Sequence, residues 1–183
     1  SGNFGNITAG LFAQRMGLPI KHFIAANNAN DIFYNYLLSG VYSPKASIQT
    51  IANAMDVGDP SNFARILDLY KSSHAEICNH ISGATYSDDE IAATMKKCYE
   101  QTGYVLDPHG ACGYQALKDN LKEGETGVFL ETAHPAKFKE KVDAILSTDI
   151  EIPTRLADFM KGKKQSLEMA ADFSAFKQFL LNE

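Results

Sequence analysis

Apolar positions along the chain fall into helix-spaced stretches separated by short continuous runs. Between Ile7 and Met16 the spacing predicts a helix with Ile7, Leu11 and neighbouring alanines inward, and Gly17 stands where a helix stop belongs. Pro19 to Ala26 holds the run His22-Phe23-Ile24-Ala25-Ala26, which reads as a buried strand. Asn27 and Asn28 follow at its C-terminal end, where open α/β sheets place ligands. Asn30 or Asp31 is expected to cap the next helix, with Phe33 and Leu37 inward and Gly40 as its stop. Residues 41–58 are the least regular part, with a turn at Ser43-Pro44 and a moderate helical run from Ser47 to Ala54. Asp59-Pro60 offers an N-cap followed by proline, opening a helix that carries Phe63, Ile66, Leu67 and Tyr70 and continues to about Asn79.

Ile81 to Tyr86 reads as a short strand, and Ser87-Asp88-Asp89-Glu90 as a capping box. The box launches a helix with Ile91, Met95 and Cys98 on one face and Gly103 at its end. Asp107-Pro108 repeats the cap-plus-proline device, and Tyr114, Leu117 and Leu121 line the helix that follows. After a turn at Glu123-Gly124-Glu125, Gly127-Val128-Phe129-Leu130 is the clearest buried strand, delivering Thr132 at its C-terminal end. Pro135 then starts a helix with Phe138, Val142 and Ile145 inward. Strands alternating with helices argue for an α/β fold: a three-layer, mostly parallel sheet with helices on both faces. Core strands are expected near residues 20–26, 81–86 and 127–131. Residues 1–146 form this domain; residues 147–183 read as a C-terminal wrap and helix of the same domain. The wrap carries Pro153, the basic run Lys161-Gly162-Lys163-Lys164, one short helix, and a last amphipathic helix with Phe173, Phe176 and Leu180.

Composition narrows the function classes. At 183 residues, 45% apolar and 21% charged, the chain suits one soluble domain with a sizeable core. A net charge of -5 argues against nucleic acid or an anionic membrane as partner, and no apolar run approaches a membrane span. Cys78, Cys98 and Cys112 cannot all pair and show no C-x-x-C spacing, which fits reduced thiols in a cytoplasmic protein. The five histidines are scattered; Glu76 and His80 could share a helix face, but two ligands make a poor site, so no metal is expected.

The candidate chemistry lies at the start of the chain. In Ser1-Gly2-Asn3-Phe4-Gly5-Asn6 two glycines three apart are interleaved with asparagines, directly before the first helix. Glycine allows a ligand to approach bare peptide N–H groups, and a helix start favours an anion. Loop plus helix is therefore a candidate phosphate cradle. It is neither a Walker loop, since no Gly-Lys-Ser/Thr follows, nor a Rossmann fingerprint. On spacing alone a tight turn before a helix remains open, as does an ordinary helix N-cap for Thr132.

Three blocks together carry a resemblance: Ser1-Gly2-Asn3-Phe4-Gly5-Asn6, Asn53-Ala54-Met55-Asp56-Val57, and Thr132-Ala133-His134-Pro135-Ala136-Lys137-Phe138. In that order they resemble threonine synthases, pyridoxal-phosphate (PLP) enzymes of fold type II in the tryptophan synthase beta-like family. The likeness implies the C-terminal part of such an enzyme, converting O-phospho-L-homoserine and water to L-threonine and phosphate. It implies that Gly2, Asn3, Phe4, Gly5 and Asn6 hold the PLP phosphate, and that the Thr132 hydroxyl faces the pyridine nitrogen. It also implies that the Schiff-base lysine, in a Phe-Lys-Asp segment with no match here, belongs to a missing N-terminal part, so no catalytic residue is expected in this chain. Lys139, in Phe138-Lys139-Glu140, is rejected as an exposed position on a helix. Glu131 stands where the family often has a small residue, and is expected to point away from Thr132. His109 is shared with the family, with no role beyond the helix start. The alternatives are a non-catalytic phosphate-ligand module and an interaction domain whose loop is only a turn.

Overall fold

The structure is a computed structural model that describes residues 2–181; Ser1 lies outside the described residues. Contacts divide the chain into two compact units, one ending at Ile150 and one beginning at Glu151.

The first unit is built on two parallel strands, β1 (Phe23–Asn27) and β2 (Ile81–Thr85), paired from Phe23 with Ile81 to Asn27 with Thr85. Side chains alternate across the pleat, so each strand feeds two cores. On one face, Ala25 and Ile81 pack with Leu11 of α1 (Gly5–Arg15), Phe33 and Leu37 of α2 (Ile32–Ser39), Ile66 of α3 (Phe63–Leu69) and Ile77 of α4 (His74–His80). On the other, Ala26 packs with Ile91 and Met95 of α5 (Asp88–Thr102), Cys112 and Ala116 of α6 (Pro108–Asn120) and Val142 of α7 (Lys139–Leu146). Helices thus cover both faces of a parallel sheet.

Local signals set several boundaries. Ser87 Oγ accepts from Glu90 N–H while the Glu90 carboxylate accepts from Ser87 N–H, a complete capping box for α5. Ser87→Ala is expected to cost about 1 kcal/mol, with Ser87→Asp close to neutral, read as the shift in thermal midpoint. Asp107 caps α6 through the N–H groups of His109 and Gly110. Gly40 and Gly103 end α2 and α5.

Elsewhere the structure corrects the sequence reading. Asp31 precedes α2 without a side-chain cap and instead pairs with Lys45. Asp59 does not cap α3; it accepts from the Tyr42 hydroxyl, whose ring stacks on Phe63 at 3.7 Å. The helix expected to reach about Asn79 breaks into α3 and α4, because Lys71 and Ser72 turn left-handed and Ser73 caps a new start through Glu76 N–H. Residues 47–54 are not helical apart from a 3₁₀ turn at Asn53–Met55. Their backbone groups are taken by side chains instead: Ile48 by Asn30, Thr50 by Asp56, and Ile51 by Asp88. The fully buried face of α6 is Ala111, Cys112 and Ala116; Tyr114 packs partly buried against the same core, Leu117 is half-buried, and Leu121 is exposed.

The largest departure concerns residues 127–131. Two strands, not three, form the sheet among the described residues, and the 127–130 run is unpaired. Phe129 packs on Tyr114, while Val128 and Leu130 on the opposite side are 78% and 57% exposed. An unbroken apolar run signals a strand covered on both faces, and only one face is covered here.

The second unit contains α8 (Thr154–Met160) and α9 (Phe173–Leu181). Lys161 pairs with Asp158, the basic run lies in exposed loop, and Phe173, Phe176 and Leu180 are exposed. Among the described residues, no helix is long and apolar enough to cross a membrane.

Candidate functional site

The Gly2–Asn6 loop enters α1 through two left-handed residues, Gly2 at φ 84 and Phe4 at φ 57. Gly2 cannot be replaced without strain: a Cβ there would lie 2.7 Å from Met55 Cβ and 3.1 Å from its carbonyl oxygen. Phe4 is buried, its ring 5.0 Å from that of Phe33, so the left-handed turn is held from within the core. Asn3 is fastened by its own amide: Nδ2 donates to Ser61 Oγ at 2.9 Å and Oδ1 accepts from Ser61 N–H at 2.6 Å. Its carbonyl accepts from Asn62 Nδ2 at 2.8 Å.

This bracing leaves the helix start open. The first backbone bond of α1 is from Thr8 N–H to Phe4 O, so the N–H groups of Gly5, Asn6 and Ile7 have no partner within the helix. No side chain caps them and no acidic residue occupies the first turn. Gly5 and Asn6 are exposed. The arrangement presents unpaired donors and the positive end of a helix dipole to solvent.

Behind the loop, Met55 leads into Asp56, the hub of a polar network. Asp56 Oδ1 accepts from Asn28 Nδ2 (3.0 Å), Asn30 Nδ2 (3.0 Å) and the Thr50 hydroxyl (2.8 Å), and Oδ2 accepts from Thr50 N–H (2.9 Å). Asn28 is fully buried, and Thr50 and Asn30 nearly so. Asn27 donates to the Ala25 and Ala84 carbonyls. Asn28 at the strand end therefore positions the 48–56 loop against Gly2 rather than presenting itself to solvent. The Asn53–Val57 block assigned no such task to Asp56; a buried Asn-x-Asn pair upstream of an aspartate was the only sequence sign.

Thr132 is exposed, and no hydrogen bond joins it to the Gly2–Asn6 loop among the described residues. The cap of the next turn is His134, whose Nδ1 accepts from Ala136 N–H at 3.1 Å, so Thr132 is not an N-cap. Its neighbour Glu131 is half-buried against the start of α6, accepting from Asp107 N–H at 3.3 Å. His109 beside it is held below the usual histidine range, first by burial. Lys139 is engaged, donating to Asp143 (2.7 Å), Asp149 and the Ile150 carbonyl (2.7 Å), and these partners raise it further above neutrality. Among the described residues no group of three or more His, Cys, Asp or Glu side chains is placed to hold a metal ion.

Known proteins resemble this chain in sequence and fold. The sequence pattern of the family described as "Pyridoxal-phosphate dependent enzyme" matches residues 1–132, and that described as "Threonine synthase, C-terminal" matches residues 110–180. Threonine synthase of Haemophilus influenzae is 47% identical over 181 residues, covering 99% of this chain and 42% of the relative. Threonine synthase of Escherichia coli is 43% identical, and its crystal structure superposes with a TM-score of 0.84 over 100% of this chain and 42% of that one. PLP-bound threonine synthase from Brucella melitensis superposes with a TM-score of 0.82 at 31% identity, over 100% of this chain and 44% of that one. The chain thus spans less than half the length of the relatives it matches. It belongs to the pyridoxal-phosphate-dependent enzyme family, and its relatives within that family are threonine synthases.

Proposed function

We propose that this chain is the C-terminal part of a threonine synthase that converts O-phospho-L-homoserine and water to L-threonine and phosphate. The observation that carries the reading is the uncapped start of α1, fed by a loop braced on Ser61, Asn62 and Met55. PLP fits the residues present: its phosphate needs convergent backbone donors without a competing carboxylate, and the first turn of α1 offers both conditions. When bound, PLP supplies an electron sink for charge developing on the substrate carbons.

The chain's own residues then divide the work. The N–H groups of Gly5 and Asn6, on the turn made by Gly2, Asn3 and Phe4, bind the phosphate. Asn3 acts through its amide bonds to Ser61, which keep the donors aimed outward. Thr132 would supply a neutral hydroxyl for the ring nitrogen; a hydroxyl can donate to an unprotonated nitrogen, whereas a carboxylate would hold that nitrogen protonated. The proton-shuttling lysine comes from another part of the enzyme, as the resemblance to threonine synthases implies; Lys139, for its part, is committed to Asp143 and Asp149. That other part also supplies the opposite wall of the cleft and excludes water, which a one-sided cradle cannot do.

Two measurements test this on the chain itself. Titration with inorganic phosphate or PLP is expected to shift the backbone amide resonances of Gly5 and Asn6 first. Borohydride reduction in the presence of PLP is expected to leave no single lysine stoichiometrically modified, and O-phosphohomoserine to release no phosphate. Unmoved amides would remove the cradle; modification of one lysine with turnover would place the catalytic lysine in this chain.

A further inference from the structure

Glu131 stands next to Thr132 and its side chain lies over the start of α6. Oε1 sits 1.6 Å from where a Cβ of Gly110 would be, so only glycine at 110 leaves room for the carboxyl group. Oε2 accepts from Asp107 N–H at 3.3 Å. Asp107 is fully buried, and its Oδ1 accepts from the N–H groups of His109 (2.8 Å) and Gly110 (3.2 Å). This leaves Asp107 Oδ2 and Glu131 Oε1 buried with no donor, on two carboxyl groups that act on each other and are brought together through the Asp107 N–H. Two ionised carboxylates so placed repel in a poorly solvated site. A single proton between them converts the repulsion into a short charge-assisted bond and satisfies both oxygens.

We propose that Glu131 and Asp107 share one proton, and that this acid–carboxylate pair is a pH-operated clasp fastening the Thr132 segment to the start of α6. Burial and the adjacent Asp107 charge push the Glu131 carboxyl up to about 8 from an ordinary 4.5, so the clasp is closed at neutral pH. Of the titrating groups around it, only His109 has an ordinary value inside that window, and because it is lowered it makes stability rise with pH there, in the parent chain and in Glu131→Gln alike. On α6, the Cys112 thiol is pushed up to about 11 by burial, and burial lowers His109. Tyr104, between α5 and α6, is raised above its ordinary 10.0 by burial and by Glu131 and Asp107. Lys137 and Asp56 act on His109 from the 3₁₀ turn and the 53–56 loop. Because Glu131 is raised in the folded chain, its contribution is fully present below 4.5 and is lost as pH rises toward about 8. Folding takes up one proton in that window. The consequence for Thr132 rests on the ring-partner role proposed above; the clasp itself does not.

Carboxyl ¹³C NMR of the full chain, labelled at glutamate, tests the clasp between about pH 4 and pH 9. One assigned resonance, absent in Glu131→Gln, is expected to titrate near 8, well above the rest. Glu131→Gln keeps a donor but no titrating group, so its thermal midpoint is expected to lose the decline that the parent chain shows across the window. Amides of residues 131–134 are expected to exchange faster, relative to the variant, above the transition. A Glu131 resonance in the ordinary carboxylate range, or an identical decline in both proteins, would overturn the proposal. Should the variant fail to fold, the parent titration decides alone. No arm uses PLP, so a failed cradle and a failed clasp give different results.

Discussion

Asp56→Ala is expected to destabilise the chain by about 3–5 kcal/mol, lowering its thermal midpoint by roughly 10 °C. Asp56 accepts four hydrogen bonds, and the donors differ in what remains to them. Asn28 Nδ2 still reaches Thr50 Oγ1, and Asn30 Nδ2 still reaches the Ile48 carbonyl. Thr50 N–H and its hydroxyl proton keep no acceptor, in a residue that is 5% exposed. Asp56→Asn is expected to fall between: its oxygen can replace Oδ1, but its NH2 then faces Thr50 N–H, donor against donor. The order parent, Asn, Ala in a thermal melt checks this. A change within about 0.5 kcal/mol for Asp56→Ala would show that the network carries no stability. The loss should also weaken phosphate binding, because the 48–56 loop is what Gly2 rests on through Met55.

Gly5→Val is expected to weaken phosphate or PLP binding at least about tenfold, equivalent to about 1.4 kcal/mol, with little change in thermal midpoint. The fold tolerates a side chain here: a Cβ on Gly5 would meet only Asn62 Nδ2, at 3.8 Å. The branched group would instead stand over the unpaired N–H groups of the first turn, where the anion must come within hydrogen-bonding distance. Gly2→Val separates the two effects. Its positive φ and its contact with Met55 mean that stability and binding fall together. Amide shifts on phosphate titration, read beside melting curves, distinguish the variants. Equal affinity for the parent and Gly5→Val would reduce the loop to a turn.

What the sequence by itself determined are the features whose cause is local. The capping box at Ser87–Glu90, the cap at Asp107, the glycine stops after α2 and α5, and the two β1 and β2 runs depend on residues a few positions apart. The break between α3 and α4 belongs to this class too: Ser73-x-x-Glu76 is a capping signal that a search for one long helix passes over. The uncapped helix start behind the proposed cradle was legible as Gly2-x-x-Gly5 before a helix without a first-turn acid, because the orphan N–H groups of a helix start follow from backbone geometry alone. Only the tertiary structure decided the path of residues 47–58, where Asn30, Asp56 and Asp88 take the backbone groups that a helix would have used. It also decided that Asn3 spends its amide on Ser61, that Val128 and Leu130 lie exposed, and that Glu131 meets Asp107 over Gly110. Most of these depend on residues well separated in the chain, and a polar side chain chooses its partner by which donors and acceptors folding leaves unsatisfied near it, a quantity that no stretch of sequence contains.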